Sequence, residues 1–452
     1  MIKKILLVGL WLFTDSLYAQ KEPDCVYSNT IKTVKLFPQN NQYALPIINL
    51  NSSELVELHF DDMSASPANY FYTYQLCNAD WSEAQWSPFD YIRGFQQNRI
   101  NSYRVATITR IPYIHYQVLL PERNAIPSRS GNYLLKVYKD GDPSKVIFTK
   151  RLYVVDSRAG IAARVEQPFD SERRFTHQKI QLAIDVKGLN ALSPQQFNTV
   201  ILQNGRWDNA VKNIQPSFIR GNLLEFNPEL DCIFPAGKEY RWADLRSFRF
   251  ESDRVERIDQ KMLPVEIFMR PDLVRSSLRY LYYRDLNGFS EISNTESLNP
   301  WWQTEYAWVT FKFQPNKGVP LIDKRVYIVG ELTGNQLGDT SLMQFDVQTG
   351  MYTKKMLLKS GFYSYQYVTR DIRDKQQNAD PALTEGNYWE TDNEYTILFY
   401  YRPFGARHDE LIGYRLVRNE LGGLSFKMKP YPQNRSHYHQ QQAKLRKEFF
   451  WI

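Results

Sequence analysis

Short apolar or alternating segments, separated by turn residues, recur along most of the chain. Examples are YFYTYQL (70–76), NYLLKVY (132–138), VIFTKRLYVVD (146–156), KIQLAIDV (179–186), TVILQNG (199–205), WVTFKF (308–313) and YTILFYY (395–401). The pairs Asp140-Gly141, Asn204-Gly205 and Asn287-Gly288 are suited to tight hairpin turns, because these residues readily adopt left-handed backbone angles. The strand–helix–strand rhythm of a parallel sheet is not recognisable. The pattern therefore predicts an all-β protein of tandem immunoglobulin-like antiparallel β-sandwiches.

Two interruptions of this pattern divide the chain. Residues 154–160 (VVDSRAG) follow a strand, and residues 286–302 are rich in Ser, Asn and Gly, a composition typical of linkers. We expect an N-terminal β-sandwich at 20–157, a middle β-rich domain at 158–295, a C-terminal β-sandwich at 296–430 and a basic tail at 431–452. Two to three domains suit a chain of 452 residues.

The first residues, MIKKILLVGLWLFTDSLYAQ, have the features of a secretory signal peptide. Lys3 and Lys4 precede an apolar stretch from Ile5 to Phe13. We expect cleavage after Ala19, which makes residues 1–19 the signal peptide. Because no segment reaches the roughly 20 apolar residues of a membrane helix, the mature protein is expected to be exported without a membrane span.

Charge and cysteine content exclude two further classes. The net charge of +7 is dispersed along the chain, whereas a nucleic-acid-binding protein needs a concentrated basic face. The three cysteines, Cys25, Cys77 and Cys232, are spaced too widely for a zinc site. One disulfide among them remains open from the sequence.

Motifs that carry catalysis or bind cofactors are not recognisable. The sequence contains no GxSxG, HExxH or GxxxxGK[ST] pattern. We interpret His437 and His439 as part of a solvated tail rather than as metal ligands. Several carboxylates could form the acid pair of a glycosidase, although we prefer surface turns for them: Asp61, Asp62, Asp231, Glu385 and Glu390. We therefore predict no catalytic, cofactor-binding or metal residues and a protein that is not an enzyme.

Some tryptophans and arginines are candidates for contacts with a partner. We expect core or strand-edge packing for Trp81 and Trp207. If Trp301 and Trp302 lie on a strand, they face opposite ways, so one of them packs in a domain junction or lies exposed. Arg402 and Arg407 belong to a charged turn that follows YTILFYY.

Both faces of YTILFYY are apolar, which predicts a central strand that is covered on both sides. Pro403 ends this strand, because it lacks a backbone donor, and Gly405 permits the turn to a return strand at 409–417. We interpret the charged residues between the two strands as ion pairs of a hairpin end and as a contact point, not as a catalytic site.

Residues 326–368 resemble the starch- and glycogen-binding β-sandwich modules. The order of a strand ending in Gly330, an acidic turn and a final Gly-Phe-Tyr-Ser-Tyr strand supports this resemblance. The turn at 332–335 (LTGN) lacks the tryptophan on which a sugar would stack. An exported carbohydrate-binding protein is therefore the alternative reading of the chain.

A combination of segments resembles the plug protein family of the type IX secretion system. These segments are YTYQLCNADW (72–81), SGNYLLKVYKDGD (130–142), QNGRWDNA (203–210), VYIVGELTG (326–334) and TDNEYTILFYYRPFGARHDELIGYR (391–415). The resemblance extends from about residue 26 to residue 420. The turn at Gly334-Asn335 departs from the tryptophan-containing form associated with the family.

The resemblance implies a periplasmic, non-enzymatic protein associated with the outer membrane and monomeric when free. Such plugs bind the periplasmic mouth of a very large outer-membrane β-barrel translocon and close it while no cargo is in transit. The resemblance assigns no contact residues by position. Trp301, Trp302, Arg402 and Arg407 are therefore the binding candidates that the sequence offers.

Overall fold

The computed structural model describes residues 23–64, 66–189, 193–373 and 379–419. In these ranges the chain forms 31 strands and two four-residue α-helices, which confirms the predicted all-β fold class. The predicted signal peptide at 1–19 and the basic tail at 431–452, with His437 and His439, lie outside the described residues.

The N-terminal sandwich consists of two main sheets around one core. Its elements are β1 (Cys25–Val26), β2 (Ile31–Pro38), β3 (Ile47–Asn49), β4 (Val56–Asp62), β5 (Tyr70–Cys77), α1 (Pro88–Tyr91), β6 (Ile92–Gly94), β7 (Asn98–Arg99), β8 (Ser102–Val105), β9 (Ile114–Leu120), β10 (Ala125–Pro127), β11 (Gly131–Lys139) and β12 (Val146–Val155). One sheet has the order β1-β12-β11-β5-β7, and the other has the order β2-β4-β9-β8. Inward side chains of both sheets, among them Phe60, Tyr72 and Leu152, fill the N-terminal core.

The middle sandwich begins with one sheet and part of a second. These elements are β13 (Gly160–Glu166), β14 (His177–Asp185), β15 (Phe197–Gln203), β16 (Val211–Ile214), β17 (Phe218–Arg220), β18 (Leu223–Glu225), α2 (Pro228–Asp231) and β19 (Ile233–Pro235). The sheet order is β13-β14-β18-β17, with β19 also paired to β14, while β15 and β16 form the edge of the second sheet. A 3₁₀ turn at Pro194–Gln196 leads into β15.

The C-terminal sandwich follows as a continuous insertion. Its elements are β20 (Arg241–Leu245), β21 (Val255–Asp259), β22 (Val265–Met269), β23 (Asp272–Leu273), β24 (Ser290–Glu291), β25 (Tyr306–Gln314), β26 (Lys324–Val329), β27 (Gln344–Asp346), β28 (Met351–Lys359) and β29 (Gly361–Asp371), with 3₁₀ turns at Asn316–Gly318 and Glu331–Thr333. In one sheet β29 pairs with β20, β24 and β26; the other has the order β21-β22-β25-β28-β27. Their inward faces enclose the C-terminal core, which includes Ile267, Phe311 and Tyr365.

The last two strands, β30 (Glu394–Tyr401) and β31 (Glu410–Arg418), return to the middle sandwich and complete its second sheet in the order β16-β15-β30-β31. All eight residues of β30 are buried, which confirms the predicted central strand. Tyr395, Ile397 and Phe399 face the middle core. On the opposite face, Leu398 and Tyr400 face a second cluster, described next.

This second cluster lies between the N-terminal and middle sandwiches, and we call it the interface core. From the N-terminal side come residues such as Tyr153 and Val155, and from the middle side Val200, Leu202 and Leu411. All five side chains are buried. One sheet of each sandwich is therefore covered on both faces.

Strand pairing divides the chain differently from the predicted blocks. The boundary at 295/296 falls inside the C-terminal sandwich, because β24 pairs with β29. Residues 394–418 of the third block pair with β15 of the second. Periodicity shows where strands lie but not which strands pair, so an insertion is invisible to it. We propose three domains: 23–156, 160–235 together with 394–418, and 241–371.

Two of the three cysteines are buried thiols that form no disulfide. Burial raises the pKa of the Cys77 thiol to about 12 and that of the Cys232 thiol to about 12. A thiol of such high pKa is not a reactive nucleophile at neutral pH.

Candidate functional site

The charged turn between β30 and β31 is docked onto the N-terminal sandwich. Gly405 adopts φ +76°, as the predicted turn requires. Arg402 Nε lies 2.8 Å from Asp409 Oδ1, and the other oxygen of Asp409 accepts a hydrogen bond of 2.9 Å from the backbone N–H of Ala79. Arg402 also donates to the side chain of Asn78 at 2.7 Å. The ion pair predicted for this hairpin end therefore also holds two sandwiches together.

Arg407 and His408 contact the N-terminal sandwich through Trp86. The guanidinium of Arg407 lies 4.9 Å from the centre of the Trp86 ring. Trp86 Nε1 donates to His408 Nδ1 at 3.1 Å, and His408 Nε2 donates to the carbonyl of Ser130 at 3.1 Å. Burial holds the pKa of His408 below its ordinary value. Both ring nitrogens of His408 are engaged in these hydrogen bonds, so its role here is structural.

Trp301 lies where the N-terminal and C-terminal sandwiches meet. Its indole stacks on the ring of His59, with centroids 3.8 Å apart and an angle of 9° between the planes. Trp302 is half-buried, 6.1 Å from the His115 ring and 5.9 Å from the guanidinium of Arg104. Both tryptophans lie in a turn before β25, so the alternation of strand side chains does not apply to them.

Next to Trp301, a network of polar side chains crosses the same junction. Glu57 contacts His59 at 3.0 Å, His59 contacts His115 at 3.0 Å, and His115 donates to Asp61 at 2.7 Å. Lys359 of the C-terminal sandwich completes this network with an ion pair of 2.5 Å to Asp61. Burial lowers the pKa of His115 to about 4. Burial acts to raise the pKa of Asp61, but Lys359 and His115 hold it below its ordinary value.

The hydrogen bonds indicate which ring nitrogens carry protons in this network. His115 donates a hydrogen bond from Nδ1–H to Asp61, so its Nε2 accepts from the Nδ1–H of His59. His59 Nε2 and Glu57 then face each other as two acceptors unless they share one further proton. These hydrogen bonds join the side chains into one network that crosses the junction.

Glu385, like Asp61 and Asp62, is buried, so the surface position expected for these three carboxylates is wrong. Glu385 is also paired with cations. Arg241 binds it through two nitrogens at 3.0 Å, and Arg275 Nε lies 2.7 Å away. Burial opposes ionisation of Glu385, but the two arginines hold its pKa at about 2. Asp231 is exposed, Glu390 is half-buried and Asp62 accepts a hydrogen bond of 2.6 Å from Tyr70. None of these contacts resembles an acid–base pair of separated pKa values.

A cleft of about 440 Å³ lies where the three sandwiches meet. The predicted turn at Asn204-Gly205 forms one wall. A Cβ on Gly205, whose φ is +68°, would lie 3.1 Å from Leu45 of the N-terminal sandwich and 3.4 Å from Phe289 of the C-terminal sandwich. Glycine at this position therefore allows all three sandwiches to approach one another. Sequence reasoning recognised the turn but had no signal for what surrounds it.

Trp81 and Trp207 line this cleft together with Arg151. The two indoles meet edge to face at 5.5 Å, and the guanidinium of Arg151 lies 5.0 Å from one ring and 5.1 Å from the other. Trp207 donates from Nε1 to the hydroxyl of Tyr153 at 2.7 Å. Asp24 binds Arg151 in turn. Both tryptophans pack at the interface core, as the packing prediction expected.

Within the described ranges, no helix has the length and apolar character needed to cross a membrane. The same ranges contain no group of three or more His, Cys, Asp or Glu side chains placed to hold a metal ion.

The fold and these contacts define a class: an all-β protein of three sandwiches, in which buried ion pairs join the N-terminal and C-terminal sandwiches. The family profile described as type 9 secretion system plug protein 1st domain matches residues 31–156, most of the N-terminal sandwich. A crystal structure of a hypothetical protein from Parabacteroides merdae ATCC 43184 is 34% identical, with a TM-score of 0.84, and the match covers 88% of this chain and 99% of that protein. No curated protein matches the sequence.

The chain belongs to the type IX secretion system plug protein family. This membership confirms the resemblance that the sequence motifs indicated.

Proposed function

We propose that the protein is a non-enzymatic periplasmic plug. It binds the periplasmic opening of the outer-membrane β-barrel translocon of the type IX secretion system and seals it while no substrate is exported. The family membership supports this function. The proposal includes export through the signal peptide at 1–19 and a monomeric state when the protein is free.

The observation that carries the proposal is the fixed arrangement of the three sandwiches. The interface core joins the N-terminal and middle sandwiches. The N-terminal and C-terminal sandwiches share the Asp61–Lys359 ion pair and a second pair, Lys35–Glu331, at 2.9 Å. Lys35 Nζ also donates to the carbonyl of Ser290 at 2.6 Å. A body held by buried contacts at both junctions presents one preformed surface, which sealing an opening requires.

The turn at 402–407 supplies a suitable contact point on this body. Phe404 is 70% exposed at its tip, between the exposed side chains of Arg402 and Arg407. Aromatic residues and arginines are enriched among the residues that dominate protein interfaces. A specific interface covers roughly 1,200–2,000 Å², so this turn is one anchor within a larger contact.

The test is affinity purification of the tagged protein from its own outer membranes in mild detergent, followed by mass spectrometry. We expect a large β-barrel to be recovered with the wild type and to be lost with Phe404→Asp. Phe250→Asp is the matched control, because Phe250 is 76% exposed on the C-terminal sandwich. Recovery of the free protein alone, under conditions that keep other barrel complexes intact, would contradict the plug function.

A further inference from the structure

Strand β8 is an edge strand that is exposed along its whole length. It ends the sheet β2-β4-β9-β8, and among the described strands it pairs with β9 alone. All four of its residues are exposed. The edge of a sheet presents backbone N–H and C=O groups that can pair with another chain. At β8, the sheet of the N-terminal sandwich can therefore be extended by a further strand.

The register of β8 identifies the backbone groups that face outward. Val105 lies opposite Ile114, and in the next pair the N–H of Ala106 donates to the carbonyl of Tyr113 at 2.9 Å. In an antiparallel ladder, hydrogen-bonded pairs alternate with pairs that are not hydrogen-bonded to each other. The N–H and C=O groups of Val105 and Tyr103 therefore point away from β9, toward the free side of the sheet.

The side chains of the same two residues are apolar and only half covered. The ring of Tyr103 lies 5.7 Å from that of Tyr116, which belongs to the N-terminal core. Tyr103 and Val105 thus lie on the core side of the sheet, yet they are 45% and 49% exposed. A strand added beside β8 would cover them with its own apolar side chains.

The charge around this edge is of one sign. Between Tyr91 and Pro121 the sequence contains four arginines and no carboxylate. The side chains of three of them contact an amide, an indole and main-chain carbonyls rather than carboxylates in the described part of the chain: Arg99, Arg104 and Arg110. Arg104 belongs to β8 itself, on the face opposite Tyr103. Acidic side chains on an added strand would therefore find an unpaired cation on that face.

Charged residues on an edge can also serve to prevent pairing with other chains. In β8, however, the charge lies on one face only, and the core-side face is apolar. The edge strand β17 is a useful contrast, because all three of its residues are exposed as well. There Arg220 lies 3.5 Å from Glu225 of the neighbouring strand, so its charge is already compensated. Of these two edges, β8 has the free charge that would select a partner.

We propose that β8 is a docking edge, to which an extended segment of another protein adds as an antiparallel fifth strand. Apolar side chains of this segment cover Tyr103 and Val105, and acidic side chains on its other face lie opposite Arg104. The occupant is a polypeptide, because a second backbone offers N–H and C=O groups at the spacing of a strand edge. Main-chain hydrogen bonds of this kind give affinity, and the alternating side chains give specificity. The proposal does not depend on the plug function.

The test measures binding of a fluorescein-labelled peptide, VEVEVEV, to the chain from Gln20 onward by fluorescence anisotropy. We expect VKVKVKV to bind at least about tenfold more weakly, because its charges match those of the edge. Residues that are hydrogen-bonded across an antiparallel ladder lie on the same face, so the valines, which face Tyr103 and Val105, donate to β8. N-methylation of the valines should therefore weaken binding about tenfold or more, whereas N-methylation of the glutamates should leave it unchanged.

Two variants of β8 are compared with one of β17. Val105→Pro removes an outward donor without removing a ladder hydrogen bond and should weaken binding about tenfold. Arg104→Glu should reverse the preference and favour VKVKVKV. Ile219→Pro is the matched control, because Ile219 is 48% exposed on an edge strand. The two-residue turn at 221–222 places the N–H of Ile219 on the free side of β17, and this variant should bind VEVEVEV as the wild type does.

Each variant is checked by its urea midpoint, and the two β8 variants change different groups, so one misfolded variant does not void the test. Absence of binding at about 1 mM VEVEVEV would mean that Arg104 guards the edge, and it would overturn the proposal. Equal affinities of the two N-methylated peptides would do the same, since binding would then rest on charge alone. So would a loss in Ile219→Pro as large as that in Val105→Pro. The plug proposal is tested separately, because no translocon takes part in this experiment.

Discussion

Replacement of Lys359 by methionine tests whether buried charge holds the N-terminal and C-terminal sandwiches together. Lys359 is fully buried, and its Nζ lies 2.5 Å from Asp61 Oδ2 and 2.5 Å from the carbonyl of Trp301. Methionine preserves the side-chain stem but leaves the Asp61 carboxylate buried without its cation. His115 and Tyr306 would still donate to it, at 2.7 and 2.5 Å. Loss of one partner of a buried ion pair costs about 3–5 kcal/mol, and we expect Lys359→Met to reduce the free energy of unfolding by this amount.

The assay is urea unfolding followed by tryptophan fluorescence, which Trp301 at the junction should report. The double variant Lys359→Met, Asp61→Asn removes both charges and should recover part of the lost stability. A loss below about 1 kcal/mol in the single variant would mean that the pair behaves as a solvated surface pair, and the reasoning would fail. A double variant as unstable as the single one would show that lost packing, not uncompensated charge, causes the effect.

Three further outcomes are expected. The pKa of His115 is about 4 in the folded protein against 6.5 in the unfolded chain, so the unfolded chain binds more protons below pH 6.5. The free energy of unfolding should therefore fall by about 3 kcal/mol as the pH drops from 6.5 to 4. Urea midpoints measured across this range should decline less steeply in His115→Gln than in the wild type. Glu385→Gln leaves Arg275 without its anion and Arg241 with Asp272 alone, and should cost about 3–5 kcal/mol, measured as a lower urea midpoint; a cost below about 1 kcal/mol would contradict the assignment. Truncation after Lys429 should leave the melting temperature unchanged, and a large loss in thermal scanning would refute the independence of the tail.

The segment 394–415 shows which features of the fold can be predicted from the sequence. Apolar residues on both faces of YTILFYY predict a strand covered on two sides, and the structure confirms it down to the individual faces. Pro403 and Gly405 predict the end of the strand and the turn. These are local consequences of backbone chemistry and burial, so a single segment contains the information.

The partners of this segment are not contained in it. Pairing of β30 with β15 joins residues about two hundred positions apart, and no periodicity specifies that choice. The sequence pattern did not predict the polar network that includes Lys359, because His59, His115 and Lys359 come from separate strands. A faint signal was present: Lys359 ends the mostly apolar segment MLLK, where an unpaired cation would be costly.

The position of β30 also bears on how the protein could act as a plug. One face of the strand belongs to the middle core and the other to the interface core, where Leu398 and Tyr400 are fully buried. Movement of the N-terminal sandwich against the middle one would expose these side chains, and each fully buried large apolar side chain contributes about 1.5–3 kcal/mol. Opening this interface would cost a large share of the 5–15 kcal/mol that stabilises a typical domain. Release from a translocon is therefore expected to occur by dissociation of an intact body rather than by rearrangement of these two sandwiches.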